Sequence, residues 1–446
     1  MSRQSSRSTL FSLIGLFLLV LTFLQIVSLR SGSLPARFLV GVCLVLLAGL
    51  ALFLLFLDGV PREKLLVLLL PIAAALFLRS ALLDHVTLDY QDFLSKWVDY
   101  FRQNGGFSAI KDPIGNYNVP YLYMLALLSY LPIPDLYGIK LFSIFFDILL
   151  AWGGFRLAKA LTHEEKPSLL CFCTLLFLPT VVLNGSCWGQ CDSVWAALCI
   201  HALACGLEDH PVPSFSLLAL AFSFKLQAIF LIPLWCALWF TKRVKLQHFF
   251  IFPTVFFFTM LPALLAGKPL IDILRVYWDQ AGSSVSWQTV NYNSPSVFSL
   301  LPYHTQSAPW VPKAAILCAF LFMLLILALI FVRRETADNT ALALAGAALS
   351  LGIPFFLPYM HERYFFLGGV LLVVLACIRP AVHTPAAVGA ELASLGGYHA
   401  YLRQKYFLVL TLFGITWAQL LEGLCMLFAV VWVTYSLIQT LQAKTD

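Results

Sequence analysis

Charged side chains are scarce in this chain, and the few that interrupt its apolar runs are the ones with chemistry to offer. Asp89 stands just before an apolar stripe, in Asp89-Tyr90. Lys225, in Phe222-Ser223-Phe224-Lys225-Leu226-Gln227, is the only charge between His210 and Lys242. His361-Glu362-Arg363 places three ionisable residues in a row between two apolar segments. A carboxylate can take a proton from a hydroxyl. An ammonium or guanidinium group can hold an anion through charge-assisted hydrogen bonds. Together these residue types suit a reaction in which a hydroxyl attacks and an anion leaves.

Each has a plainer reading. Asp89 can cap a helix N-terminus, with Asp92 as its partner. Lys225 can snorkel to lipid headgroups. The His361-Glu362-Arg363 run can cap and anchor a helix end at the interface. Trp188-Gly189-Gln190-Cys191-Asp192-Ser193 lies between two apolar spans, where Asp192 either caps the next helix or faces a cavity, since an acid at that depth is costly. No second His follows His361-Glu362 at helical spacing, so no zinc motif is present. Neither a structural metal nor a cofactor is expected.

A second group is polar and aromatic. Asn116-Tyr117-Asn118-Val119-Pro120-Tyr121 precedes a short apolar run. Residues 267–310 carry Arg275, Tyr277-Trp278-Asp279-Gln280 and Trp287-Gln288-Thr289-Val290-Asn291-Tyr292-Asn293-Ser294-Pro295. Flat rings to stack on and amides to pair with hydroxyls are what a sugar pocket uses, although any interfacial loop looks similar.

The elements that must position these residues are membrane helices. Of 446 residues 61% are hydrophobic and 11% charged, with a mean hydropathy of +0.87; a soluble domain carries roughly 25% charged residues. The net charge of +6 needs no nucleic-acid partner, because Lys and Arg orient membrane proteins. The spans read as 10–28, 37–57, 65–83, 138–160, 168–184, 193–207, 213–224, 226–240, 247–266, 311–332, 340–357, 364–378, 406–421 and 423–440. Segment 119–131 reads as a re-entrant half-helix. The expectation is an all-α polytopic bundle of about 12–14 transmembrane helices.

With the N-terminus cytoplasmic, most basic groups fall inside, from Arg3/Arg7 through Arg156/Lys159/Lys166 and Lys242/Arg243/Lys245 to Lys444, while Arg30 and Arg37 do not. This pattern makes 214–240 a hairpin with Lys225 at its outer apex and puts both termini in the cytoplasm. The chain divides into N-terminal helices (1–83), a first outer loop (84–118), a transmembrane core (119–266), a second outer loop (267–310) and C-terminal helices (311–446). In the first loop Tyr90, Phe93, Leu94, Trp97, Val98 and Phe101 form one helical stripe, ended by Gly105-Gly106. That is an amphipathic helix lying in the interface. Two sizeable loops on one face suggest an outward-facing site. The eleven cysteines are scattered, and the Cys187/Cys191 pair has no wider disulfide framework around it.

The ordered series Asp89-Tyr90…Trp97, Asn116 to Tyr121, Trp188 to Ser193, Phe224-Lys225-Leu226-Gln227 and His361-Glu362-Arg363 resembles a family of bacterial membrane proteins related to the GPI-anchor second mannosyltransferase. More distantly, it is similar to the dolichyl-phosphate-glucose glucosyltransferases. The resemblance implies a GT-C fold, a polyprenyl-phosphate sugar donor, and a glycan or lipid-linked acceptor on the non-cytoplasmic side, in a bacterial plasma membrane.

It further implies that Asp89 is the catalytic base of an inverting transfer of a mannose- or glucose-like hexose. Lys225, His361, Glu362, Arg363, Trp188, Gln190, Asp192, Asn118, Tyr121, Asn291 and Asn293 would bind substrate. The family's His-Glu-Lys becomes His361-Glu362-Arg363 here, and its Lys-Gln is one residue wider. No glycine-rich phosphate loop or dinucleotide fingerprint is present, and a soluble nucleotide-binding domain has no room. A transporter or flippase of lipid-linked glycans is the alternative; it would place polar groups near the bilayer midplane and repeat its halves. A membrane polysaccharide polymerase and a catalytically inert subunit are further alternatives.

Overall fold

A computed structural model of the chain describes residues 3–286, 289–306, 308–412 and 414–443. Trp287, Gln288 and Lys444, used in the sequence reading, lie outside them. Among the described residues the chain is helical apart from two ribbons of two short strands. It is an all-α polytopic membrane protein.

Among the described residues seven helices are long and apolar enough to cross a bilayer: Ser8–Val27, Leu34–Leu57, Asp135–Thr162, Leu246–Leu265, Val311–Val332, Asn339–Phe356 and Trp417–Gln442. Glu165–Phe177 with Pro179–Trp188, bent by 45°, makes an eighth. Much of the difference from the expected 12–14 lies in shorter apolar helices such as Val119–Leu128, Asp192–Leu207, Pro211–Phe224 and Phe366–Ile378. Breaks fall where the local chemistry demands them. Asn118 caps Val119–Leu128, with proline in its first turn. Lys225 is extended at the end of Pro211–Phe224.

The C-terminal region differs from expectation. Residues 380–403, expected as a cytoplasmic connection, form the helix Pro380–Arg403. It packs against Phe366–Ile378 and Trp417–Gln442. Its hydropathy is low because it is rich in Ala and Gly, yet small residues are what let helices approach closely; Ala386, Ala390, Ala393, Gly396 and Gly397 are buried. The expected span 406–421 is instead an antiparallel ribbon, Thr411–Leu412 with Ile415–Thr416, turning near Gly414 at φ 75. The single helix Trp417–Gln442 follows.

The chain folds as two compact units. One comprises Met1–Gly153, Phe172–Ala197 and Met260–Leu270; the other comprises Gly154–Cys171, Leu198–Thr259 and Ile271–Asp446. The first is organised around buried charge. Arg79 and Asp147, 1% and 0% exposed, pair at 3.0 Å. Arg79 also donates to the Leu176 carbonyl at 2.7 Å, and Ser193 donates to Asp147 at 2.5 Å. Lys140, fully buried, donates to the carbonyls of Leu82, Leu83 and His85 at 3.0, 2.9 and 2.6 Å. Lys268 donates to the Ile110 and Asp112 carbonyls at 3.2 and 2.8 Å. Two buried lysines therefore tie down both ends of the segment between residues 82 and 112.

In the second unit, Trp235 donates to Ser214 at 3.1 Å although the two are 21 residues apart. On one straight helix that separation would be about 31 Å, so segment 214–240 is a hairpin whose midpoint falls at Lys225.

Breaking one side of a buried ion pair strands the other charge and typically costs about 3–5 kcal/mol. Asp147→Leu and Arg79→Leu should each lower the unfolding midpoint in detergent sharply, and the double variant should be more stable than either. Equal midpoints for the singles and wild type would show that the pair does not organise this unit.

Candidate active site

The segment that carries Asp89 starts under tight control. The Lys140 ammonium gathers three carbonyls from residues 82–85, and Tyr137 donates to Asp84. From there the chain reaches Thr87, whose hydroxyl donates to the Trp188 carbonyl at 3.2 Å. A π-type turn, Tyr90–Leu94, then leads into the helix Ser95–Gln103. Of the predicted stripe Leu94, Val98 and Phe101 are buried, Tyr90 and Trp97 are half-buried and Phe93 is exposed, and Gly105 ends the helix in the left-handed conformation at φ 82. Asp92, on the solvated face, lies 3.9 Å from Lys96.

Asp89 occupies the cap position but makes no side-chain capping bond. Its carboxylate reaches the 188–190 segment instead. Oδ2 accepts from Trp188 Nε1 at 2.9 Å and from Gln190 Nε2 at 2.5 Å. Among the described residues no hydrogen-bond donor reaches Oδ1, so the two oxygens are held unequally.

The local backbone explains how two side chains one residue apart converge on one atom. Leu183–Trp188 is a second π-type turn, closed by Gly189 at φ 79, a conformation glycine adopts without steric cost. Ser143 donates to the Gln190 carbonyl at 2.7 Å and fixes the far side of the turn. Gly185 lies against the Asp147 carboxylate, 3.1 Å from where a Cβ would stand.

Asp192 is fully buried, and both its oxygens are engaged, by Asn184 Nδ2 at 2.8 Å and Trp195 Nε1 at 3.0 Å. Tyr121 is buried within electrostatic reach of Cys191, Asp89 and Asp192. Its ring meets Tyr117 at 4.6 Å, which meets Trp97 at 6.0 Å, making a row of flat faces. Asn118 caps the same helix turn by accepting from the Val119 N–H at 2.8 Å. Burial first, then the charges of Asp135 and Asp99, push the Tyr90 phenol above its ordinary value. Tyr90 therefore stays protonated beside Asp89 and offers no competing base.

The second unit gathers a different set. Asn291–Tyr292 pairs in parallel with Met360–His361, and Asn293 bridges to His361. Tyr292 and His361 stack at 4.7 Å with 13° between planes. Glu362 is 1% exposed and pairs with Arg363 at 3.0 Å. Asn291 accepts from the Ser294 N–H and donates to Ser299. Asn293 accepts from the Tyr406 hydroxyl at 2.6 Å. Lys225 is buried at the hairpin apex.

Thus Asp89, Trp188, Gln190, Asp192, Asn118 and Tyr121 belong to one unit. Asn291 and Asn293 meet the His361-Glu362-Arg363 strand in the other, which also holds Lys225. Among the described residues no cluster of His, Cys, Asp or Glu suits a metal, and no disulfide joins Cys187 to Cys191. Arg79, Lys140 and Asp147 escaped the sequence reading of the site. Their signal was present, since each is a charge inside an expected apolar span, Arg79 alone in 65–83 and Lys140 and Asp147 together in 138–160.

Residues 116–358, more than half of the chain, match glycosyltransferase family 87. The match includes Asn118, Tyr121, Trp188, Gln190, Asp192, Lys225, Asn291 and Asn293, whereas Asp89 and His361-Glu362-Arg363 lie outside it. No curated protein matches the chain. A multi-pass helical membrane protein carrying this match over the Trp188-to-Asp192 turn, the Lys225 hairpin and the Asn291 strand belongs to glycosyltransferase family 87.

Proposed function

We propose that the chain moves a mannose- or glucose-like hexose from a polyprenyl-phosphate sugar to a hydroxyl of a glycan or lipid-linked acceptor, with inversion. The observation that carries this reading is the Asp89 carboxylate, oriented through Oδ2 by Trp188 and Gln190 while Oδ1 takes no hydrogen bond from the described residues. A residue serving only as a helix cap would spend its oxygens on backbone N–H groups, and Asp89 spends none there.

In the proposed reaction the acceptor oxygen attacks the anomeric carbon and its proton passes to Asp89 Oδ1. The bond between that carbon and the phosphate oxygen breaks, and its electron pair leaves with the lipid phosphate. A glycosidase needs a second carboxylic acid to protonate an alkoxide. A phosphate is already stable as an anion, so no such acid is required. What it needs is positive charge, and we assign this to Lys225, Arg363 and His361 in its protonated form, with Glu362 holding Arg363.

Trp188 and Gln190 orient the base, Asp192 braces their turn, Asn118 and Tyr121 contribute to the sugar-facing surface, and Asn291 and Asn293 order the second loop. The motif likeness to the mannosyltransferase-related proteins and the glucosyltransferases supports a lipid-phosphate donor. The distribution of basic residues supports an outward-facing site with cytoplasmic termini in a bacterial plasma membrane.

Asp89→Asn keeps an oxygen for Trp188 and Gln190, so it should fold and insert normally while transfer of labelled hexose falls by about 10²–10⁴. Wild-type turnover by that variant would remove Asp89 from the mechanism. Asp92→Asn should stay close to wild type, because Asp92 is exposed and pairs only loosely with Lys96.

Losing a hydrogen bond to a charged group costs about 1.5–3 kcal/mol. Lys225→Met and Arg363→Gln should therefore each lower kcat/KM for the lipid-phosphate donor by roughly 10–100-fold. A normal donor dependence in both would dismiss the cationic role.

A further inference from the structure

A polar chain in the C-terminal part of the molecule, ending at Asn293, otherwise lies outside the assigned roles and, except for Asn293 and Tyr303, outside the family match. Its hydrogen bonds have a determined direction. The Tyr303 hydroxyl has one proton, given to Gln419 Oε1 at 2.7 Å, so Thr416, 3.0 Å away, must donate to Tyr303. The Gln419 amide nitrogen donates to the Tyr406 hydroxyl at 2.8 Å, and Tyr406 donates to Asn293 Oδ1 at 2.6 Å.

Burial and the neighbouring Tyr303 push the Tyr406 phenol above its ordinary value, which keeps its proton available for Asn293. Asn293 needs holding, because it sits at φ 54, a conformation non-glycine residues adopt at some cost.

The helix Pro380–Arg403 presses on the same strand from another side. A Cβ added at Gly397 would stand 2.6 Å from the Glu362 Cβ and 2.8 Å from the Asn293 carbonyl oxygen. Backbone therefore packs directly on Asn293 and Glu362, the residues that immediately follow the two strands of the Asn291–Tyr292/Met360–His361 ribbon. At Gly396, next along, an added Cβ would overlap the Glu422 side chain, which seats this helix on Trp417–Gln442.

We infer that Gly397, Tyr406 and Gln419 are positioning residues for the His361-Glu362-Arg363 segment, holding its strand end in register through Asn293 and Glu362 so that its cations meet the donor phosphate. A ribbon only two residues long cannot fix its own register, and these contacts supply what it lacks. The inference rests on the reading that His361 and Arg363 bind the donor.

The test uses full-length protein in lipid nanodiscs and polyprenyl-phosphate mannose or glucose, whichever the wild type turns over. In Tyr406→Phe and Gly397→Ala, backbone hydrogen exchange should accelerate at 290–293 and 359–363 and stay unchanged in the helix Asn339–Phe356. Donor KM should rise roughly five- to tenfold, about the net worth of one hydrogen bond, with kcat within about twofold, a split that general destabilisation would not produce. Tyr406→Phe removes a single oxygen and keeps the question open to measurement if Gly397→Ala does not fold.

Unchanged exchange at both segments in Tyr406→Phe overturns the inference. Arg363→Gln separates the two levels of failure. If it leaves donor KM unchanged, the donor-binding reading falls and takes the inference with it. If it raises donor KM while Tyr406→Phe does not, the inference alone falls.

Discussion

An ammonium group cut off from water must be solvated by the protein around it, and in the first unit that requirement shapes the site. Lys140 has three protons to donate and meets three main-chain carbonyls, at Leu82, Leu83 and His85. Displacing any of them would leave part of a buried charge unsatisfied, a cost of several kcal/mol. The path of the backbone toward Asp89 is thereby fixed from within the helix Asp135–Thr162. The same helix carries Asp147, which with Arg79 and Ser193 secures the turn bearing Trp188 and Gln190. Both sides of the Asp89 hydrogen-bond geometry trace back to charges buried two helical turns apart on one element.

The two clusters share a habit of irregular backbone. Asp89 and its partners are flanked by two π-type turns, Tyr90–Leu94 and Leu183–Trp188, a geometry that is rare and concentrates at functional sites. Around His361, Tyr359 and Asn293 both take positive φ. Sparsely populated conformations persist only where the surroundings over-determine them. Here the surroundings are the Val290 carbonyl, which accepts from the Tyr359 N–H at 2.7 Å, and the Tyr406 hydroxyl.

Much of this was legible in the sequence because membranes make polarity conspicuous. The helical stripe from Tyr90 to Phe101, its glycine end, the hairpin at Lys225 and the membrane class all follow from periodicity and charge. What stayed hidden had no local signal. Hydropathy measures transfer into lipid, so it passed over the Ala- and Gly-rich helix Pro380–Arg403, which is held by neighbouring helices. It also took residues 406–421 for a span, where the chain instead makes a ribbon around Gly414. The parallel pairing of Asn291–Tyr292 with Met360–His361 joins segments remote in sequence by four residues in all. Asp89 read equally well as a cap and as a free carboxylate, and only the Trp188 and Gln190 contacts separate the two readings.

The Asn184–Asp192 hydrogen bond has a consequence for how the chain can be handled. Asn184-Gly185-Ser186 spells an acceptor sequon for N-linked oligosaccharide, but the Asn184 side chain is fully buried and its amide nitrogen is committed to Asp192. An oligosaccharyltransferase could reach that nitrogen only before the turn closes. A glycan found there after production in a eukaryotic host would mark molecules modified before folding and unable to close the turn beneath Trp188.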